Sequence, residues 1–312
     1  MPTAREPAAE PLAELSLPIA PADVQHAMAE LGPEPRRCLV CGGEQFARLF
    51  QRSQKWFWRC RGCRLVFVHD IYPEFVQDTA HLDGTYVFDR LETSDRKKVA
   101  KYDEFLARLA RARRLGRLLE VGCGQGLFLE RARESGWQVE GVEILAPVVA
   151  RARERGLAVF HGTLPEARLA AGSFDVLVMR EVIEHIVDPV ALLREVLRVL
   201  RPGGLAALGT GNVDSWAARL RAGRWHYFRF GGHMHIRFYS PSSAAALARA
   251  AGFAACAVHT SGFAFLEAEE MRGRWFKPFL KLAQAPLSPL ATAARAGHRL
   301  VMLFQKGPEA SA

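Results

Sequence analysis

The pattern of hydrophobic and polar positions changes character at about Gly116. Downstream, short apolar runs at Arg117–Val121, Trp137–Glu143, Leu157–His161, Phe174–Met179 and Gly204–Gly209 read as strands. Amphipathic stretches of helix length separate them, which predicts a parallel sheet with crossover helices. One helix opens at Asp188-Pro189. Aspartate is a good N-cap, and proline lacks an N–H that the first helical position leaves unpaired anyway. Leu193, Val196, Leu197 and Leu200 form its apolar stripe, and Arg201-Pro202-Gly203-Gly204 ends it. A helix from Pro241 to Ala251 leads to strands at Ala254–Thr260 and Leu300–Phe304. Between those strands lies a helical insertion, residues 263–296, bearing Trp275, Phe276, Phe279 and Leu280.

Upstream of Gly116 the periodicity predicts one helix, Ser94 to Arg114, with Val99, Tyr102, Leu106 and Leu109 on one face. Residues 1–35 are rich in Pro, Ala and Glu and read as a loosely ordered tail. A cysteine-bounded module spans 36–70, a linker with that helix spans 71–115, and the α/β domain spans 116–306.

Composition narrows the class. With 312 residues, 49% hydrophobic and 24% charged, the chain is globular and holds one α/β domain plus a small module. No apolar run approaches the length of a membrane span, and Met1 to Glu6 lead into no signal-like apolar core. A cytoplasmic location is expected. The net charge of +9 invites nucleic acid as a partner. However, arginines such as Arg108, Arg111, Arg151 and Arg155 are scattered along helices, with no block of like charge. A solvated helix face accounts for them, and a small-molecule substrate is the preferred partner.

The candidate chemistry centres on Glu120-Val121-Gly122-Cys123-Gly124-Gln125-Gly126 at the end of the first strand of the α/β domain. Alternate glycines allow a sharp turn and let a ligand lie against the main chain. Ligands of such sheets bind at the carboxyl ends of strands. Glu143 ends the next strand, at the distance from the glycine loop where a carboxylate can accept from ribose hydroxyls. A dinucleotide site is the rival, but its third glycine position is here Leu127. Glu120 would also repel a pyrophosphate while suiting an amino group and a sulfonium. That charge argument selects S-adenosylmethionine over a nicotinamide nucleotide.

Cys38-x-x-Cys41 and Cys60-x-x-Cys63 stand as far apart in the chain as the two pairs of a four-thiolate zinc site. Gly42-Gly43 and Gly62 allow the tight knuckles, and Leu65–Val68 reads as a ribbon strand. The metal is expected to be structural, because so small a module needs it to fold. Lys55-Trp56-Phe57-Trp58-Arg59 reads either as a ribbon strand on a small core or as a nucleic-acid surface, and the core reading is preferred.

The chain resembles the class I methyltransferase superfamily, within the group that includes ubiquinone-biosynthesis O-methyltransferases. The residues that carry the likeness are Leu118–Gly126, Gly141-Val142-Glu143, Ser173–Val176, Glu181–His185 with Asp188-Pro189, Leu200–Gly204 and His235–Pro241. The resemblance implies a Rossmann-like, seven-stranded, mostly parallel sheet and S-adenosylmethionine as cofactor. It places Gly122, Gly124 and Gly126 against the methionine and ribose, and Glu143 with Ile144 at the ribose. Thr163 and Leu164 fall near adenine, and Met179, Arg180 and Glu181 at the methyl-donor end. Tyr86 closes over the site.

The implied reaction is an in-line transfer to a nucleophile of a small molecule, with oxygen preferred. His185 is the candidate base, or else a support of the turn it sits in. Glu181, Glu184 and His185, with His233 or His235, also resemble a divalent-metal site of some O-methyltransferases. The reading adopted has no catalytic metal. Alternatives are an RNA methyltransferase using the ribbon to recognise its substrate, and a non-catalytic cofactor-binding module. The absence of an Asn/Asp-Pro-Pro-aromatic motif disfavours methylation of an exocyclic base amine.

Overall fold

The computed structural model describes residues 34–52, 55–69, 96–112, 115–228, 235–263 and 286–308. The cysteine module forms three antiparallel strands, β1 (Phe46–Arg52), β2 (Lys55–Cys60) and β3 (Val66–Val68). The helix expected over 94–114 runs as α1 (Arg96–Ala112). Then come β4 (Arg117–Val121), α2 (Leu127–Glu134), β5 (Gln138–Glu143), α3 (Ala146–Glu154), β6 (Val159–His161) and β7 (Phe174–Arg180). A 3-10 turn, Ile183–His185, leads to α4 (Pro189–Val199), β8 (Leu200–Gly211) and α5 (Trp216–Arg221). The chain ends with β9 (Arg237–Phe238), α6 (Pro241–Ala251), β10 (Ala255–Ser261), α7 (Leu287–Ala293) and β11 (Arg299–Gln305). Of the 263–296 insertion, only Phe263 and residues 286–296, which carry α7, fall within the described residues.

Seven strands form the main sheet in the order β10-β11-β8-β7-β4-β5-β6. The five from β8 to β6 are parallel, and β11 and β10 run antiparallel at one side. Successive residues of a strand point to opposite faces, so Leu118 and Leu119 enter different cores. Leu118, Val176 and Val178 pack with α1, α2 and α3 through Leu106, Phe128 and Val149. Leu119, Leu177 and Met179 pack with α4 and α6 through Leu193, Val196 and Leu247. This is the three-layer α/β sandwich that the alternating pattern predicts.

Asp188 caps α4 by accepting from the Ala191 amide at 2.9 Å. Strand β8 starts at Leu200, before the Pro202-Gly203-Gly204 turn rather than after it. Leu200 already pairs with Phe174, and a register shift in the β7–β8 pairing follows.

The ribbon is not a separate bead. Its sheet has four strands, β1-β2-β3-β9, and the fourth comes from the far side of the α/β domain's sequence. Phe57, Val66 and Val68 share a core with Val213, Trp225, Phe228, Ile236 and Phe238. Arg64 forms a two-pronged ion pair with Asp214, at 2.8 and 2.9 Å. The expected 36–70 module therefore borrows an edge strand from the 116–306 region.

Candidate active site

The carboxyl ends of β4, β5 and β7 open onto one end of the sheet. Gly122, Gly124 and Gly126 all adopt left-handed backbone there, with φ of 71°, 55° and 80°. Their surroundings differ. A β-carbon at Gly122 would run into Val182, and one at Gly126 into Leu157, so both positions serve packing as well as turning. At Gly124 nothing lies within 4 Å of such an atom. Gly124 is thus the glycine that presents bare backbone to open space.

Glu143 is buried, and its carboxylate binds that loop to its own. Oε2 accepts from the Gly124 amide at 2.9 Å. Oε1 accepts from the Ile144 and Leu145 amides at 2.8 and 3.1 Å. A carboxylate has about four acceptor positions, so one remains for a ribose hydroxyl. Holding both hydroxyls, as the sequence suggests, requires one amide to be released. Ile144 follows at the rim with 46% of its surface exposed, an apolar wall for a sugar or base.

Thr163 spends its amide and hydroxyl on Glu166, both at 2.7 Å. Leu164 and Met179 are core residues with 1% and 0% exposure, so each can offer a ligand only its main chain. Tyr86 and His233 lie outside the described residues.

Glu120 requires a correction. Its carboxylate is fully buried and is met by Arg180, with Nη2 at 2.6 Å and Nε at 3.1 Å from Oε1. The Arg180 guanidinium lies over the rings of Tyr102 and Phe128, at 4.3 and 4.4 Å. The acid expected to face a cationic ligand faces a cation of the chain instead. Its charge is cancelled locally, so it no longer discriminates a sulfonium from a pyrophosphate.

The turn after β7 brings a second group together. Glu181 has left-handed backbone, φ 55°, a strained conformation for a non-glycine residue. Its Oε2 accepts from the Tyr227 hydroxyl at 2.7 Å. Glu184 is wholly buried, and neither carboxylate oxygen has a hydrogen-bond partner among the described residues. Burial, then the neighbouring Glu181 carboxylate, pushes its pKa well above the ordinary carboxylate range. The ring of His185 lies 4.8 Å from that of His235. Ligating atoms of Glu184, His185 and His235 all lie within 4.8 Å of one another. His235 Nδ1 is 3.1 Å from the Tyr227 carbonyl, which can only accept, so the proton sits on Nδ1. Glu181 lies outside this group: its Oε2 accepts from Tyr227, while its carboxylate neighbours that of Glu184.

The four cysteines of the ribbon converge. Sγ atoms lie 3.7 Å apart in Cys38–Cys63 and 3.5 Å apart in Cys41–Cys60, and all four lie within 4.8 Å of one another. Tetrahedral Zn–S bonds near 2.3 Å put sulfurs roughly 3.8 Å apart, so the set fits zinc. Gly42 supplies the left-handed residue of the first knuckle, φ 72°. In the second knuckle it is Arg64, φ 67°, not Gly62 as the sequence suggests. The Gly43 amide donates to Cys41 Sγ at 3.4 Å, as a thiolate ligand invites. Phe57 and Trp58 are buried, and Arg48 covers Trp56 at 4.6 Å, so these aromatics pack the ribbon rather than stand out from it. None of the six cysteines forms a disulfide.

The sequence reading missed Arg237, Tyr227 as a partner of Glu181, and the Glu120–Arg180 pair. The only trace of Arg237 is a charge set between the apolar Ile236 and Phe238. The Glu120–Arg180 pair follows once β4 is known to adjoin β7, since Glu120 pairs with Val178 and Arg180 is the next residue on that face.

A mostly parallel sheet of this order, with a glycine turn and an acidic residue at the ends of its first two parallel strands, is the arrangement of the class I S-adenosylmethionine-dependent methyltransferase fold. The family model described as "Methyltransferase domain" matches residues 93–258, more than half of the chain, and the chain belongs to that family. A ubiquinone biosynthesis O-methyltransferase of Cereibacter sphaeroides is 36% identical over 146 residues, 44% of this chain and 59% of that enzyme. One from Xanthomonas euvesicatoria is 32% identical, over 54% of this chain and 70% of that enzyme. The match thus spans between half and three quarters of these relatives' length. Among solved structures, a SAM-dependent methyltransferase from Thermotoga maritima has 23% identity and a TM-score of 0.48, covering 71% of this chain and 98% of that one. No helix of the described residues is long and apolar enough to cross a membrane.

Proposed function

We propose that this chain transfers a methyl group from S-adenosylmethionine to an oxygen of a small molecule, in the cytosol. The observation that carries it is the convergence of Glu184, His185 and His235 at the turn after β7, whose Val182 lies against Gly122 of the glycine loop. An oxygen acceptor gains from a base, and two imidazoles are at hand. The relatives named as ubiquinone biosynthesis O-methyltransferases support both the oxygen and a small acceptor. Two C-x-x-C pairs placed to bind metal, rather than disulfides, support a reducing compartment.

Gly124, Glu143 and Ile144 would hold the cofactor, which would supply a methyl group already activated on a sulfonium. The chain's residues then align the acceptor and exclude water. His185 takes the acceptor hydroxyl's proton as its oxygen becomes the nucleophile. General-base help of this kind gives roughly 10²- to 10⁴-fold. Burial raises the Glu184 pKa and so favours its protonated, hydrogen-bond-donating form. Glu181 is clamped by Tyr227 at the mouth. Cys38, Cys41, Cys60 and Cys63 would hold zinc in a structural role.

The test is transfer of label from methyl-tritiated S-adenosylmethionine into a cell extract, followed by sizing of the product. Label in small, organic-extractable molecules, with an ether formed, supports the proposal. Label confined to RNA makes the ribbon a substrate-recognition module instead. Cofactor binding without any transfer makes the chain a binding module.

A further inference from the structure

The ribbon and the Glu181–His185 turn never touch in sequence, yet one short segment holds both. Residues 236–239 form the edge of the ribbon sheet: Val66 pairs with Phe238, Phe67 with Arg237, and the Val68 amide donates to the Ile236 carbonyl. The same residues hold the turn. The Ile236 amide donates to the Glu184 carbonyl at 2.9 Å, and the Tyr239 hydroxyl donates to the Ile183 carbonyl at 3.4 Å.

Arg237 joins the two sides with a single side chain. It is buried, with 5% exposure. Nη1 donates to the Val68 carbonyl of the ribbon at 3.0 Å and to the Ile236 carbonyl at 3.2 Å. Nη2 donates to the carbonyl of Val187, two residues beyond His185, at 3.1 Å. No carboxylate of the described residues forms an ion pair with it, so these partners are all main-chain carbonyls.

A buried guanidinium without an acid is expensive to keep unless something nearby is negative. Tyr239, then Cys38 of the ribbon and Asp188, favour the cation against that cost, and four thiolates around zinc would leave the ribbon's centre with two negative charges. A planar fork of donors reaches carbonyls of different segments at once, which an ammonium on a flexible stem does less well.

We propose that Arg237 is a positioning residue through which the four-cysteine ribbon sets the place of the Glu181–His185 turn, making the ribbon a structural part of the acceptor end. The inference rests on the proposed function only in naming that end as the acceptor's; the coupling itself is independent of any substrate. The cofactor end touches the turn where Val182 lies against Gly122, but the Gly124 loop has its own support, since Glu143 holds it through contacts at the ends of β4 and β5.

The experiment reads the imidazole signals of His185 and His235 by NMR in the full-length, zinc-loaded protein, assigned with His185→Gln and His235→Gln. Arg237→Met is expected to move both signals while S-adenosylhomocysteine binding, by calorimetry, stays within threefold. Arg237→Lys is expected to restore the wild-type positions in part. Removing zinc from the wild type with a chelator is expected to move the same two signals, again with S-adenosylhomocysteine still bound. Unmoved imidazole signals in Arg237→Met overturn the proposal. So does loss of product binding in step with zinc, because the ribbon then supports the whole domain rather than this turn. Where Arg237→Met does not fold, the chelation result decides alone. None of these readouts uses turnover, so a failed methyl-transfer assay leaves the outcome distinct.

Discussion

The two ends of the site are built by opposite means. At the cofactor end, one carboxylate accepts three main-chain amides from its own loop and the neighbouring one, and a glycine leaves its backbone open. At the acceptor end, a wholly buried carboxyl lacks hydrogen-bond partners among the described residues, a strained glutamate is clamped by a distant tyrosine, and a strand shared with the ribbon holds the turn. The first is local and satisfied. The second is non-local and kept in a costly state, as functional positions often are. A binding site for one invariant cofactor can be a short motif, whereas the group that meets the acceptor is assembled from three separated segments.

The comparison breaks first at His185. His185→Ala is expected to lower kcat by roughly 10²- to 10⁴-fold on whichever acceptor the label identifies, with cofactor affinity unchanged. A steady-state assay checks the rate and calorimetry the affinity. Unchanged kcat would return His185 to supporting its turn.

Glu143→Ala should act in the reverse sense. Losing a charged acceptor of three amides loosens the Gly124 loop as well as removing a ribose contact, and a charged hydrogen bond contributes about 1.5–3 kcal/mol. We expect S-adenosylhomocysteine affinity to fall by about 100-fold, with the His185 and His235 signals in place. Wild-type affinity in this variant would falsify the assignment of the cofactor end.

The contrast also explains what could be read from the chain alone. Glycines at alternate positions and an acid at the next strand end encode their geometry within one short stretch, and the seven strands of the main sheet announce themselves as apolar runs. Arg237 and Phe238 make a strand too short for any period to mark it. The partner of Glu120 follows only from the strand order, which sets β4 beside β7, so in the sequence its charge points to the ligand. The second knuckle misled because glycine is the usual left-handed residue, while here Arg64 is held in that conformation by its ion pair with Asp214.

A smaller effect separates Glu184 from an ordinary carboxylate. Its pKa is raised in the folded protein, so folding binds a proton that the unfolded chain releases. The stability it allows is fully present below the unfolded carboxylate pKa and is lost as pH rises towards the folded one. Glu184→Gln keeps the shape without the ionisation. The variant should match the wild type at acidic pH and exceed it as pH rises, measured by urea unfolding across that range. Parallel curves would mean that the buried carboxyl is ionised and paired.

The smallest test concerns the clasp between ribbon and α/β domain. Arg64 pairs with Asp214 from a half-exposed position, side-chain exposure 45% against 12% for the acid, so its ion pair contributes only about 1 kcal/mol. Its left-handed backbone opposes that by a similar amount, about 1 kcal/mol for a residue with a β-carbon. Arg64→Ala keeps the strain and loses the pair, so thermal unfolding should come a few degrees earlier. Arg64→Gly loses the pair and the strain together, and should return close to the wild-type midpoint. The two variants differ by nothing but a methyl group. If glycine unfolds no later than alanine, the second knuckle does not hold its left-handed residue in solution, and the ribbon's resemblance to the tight, local cofactor loop ends there.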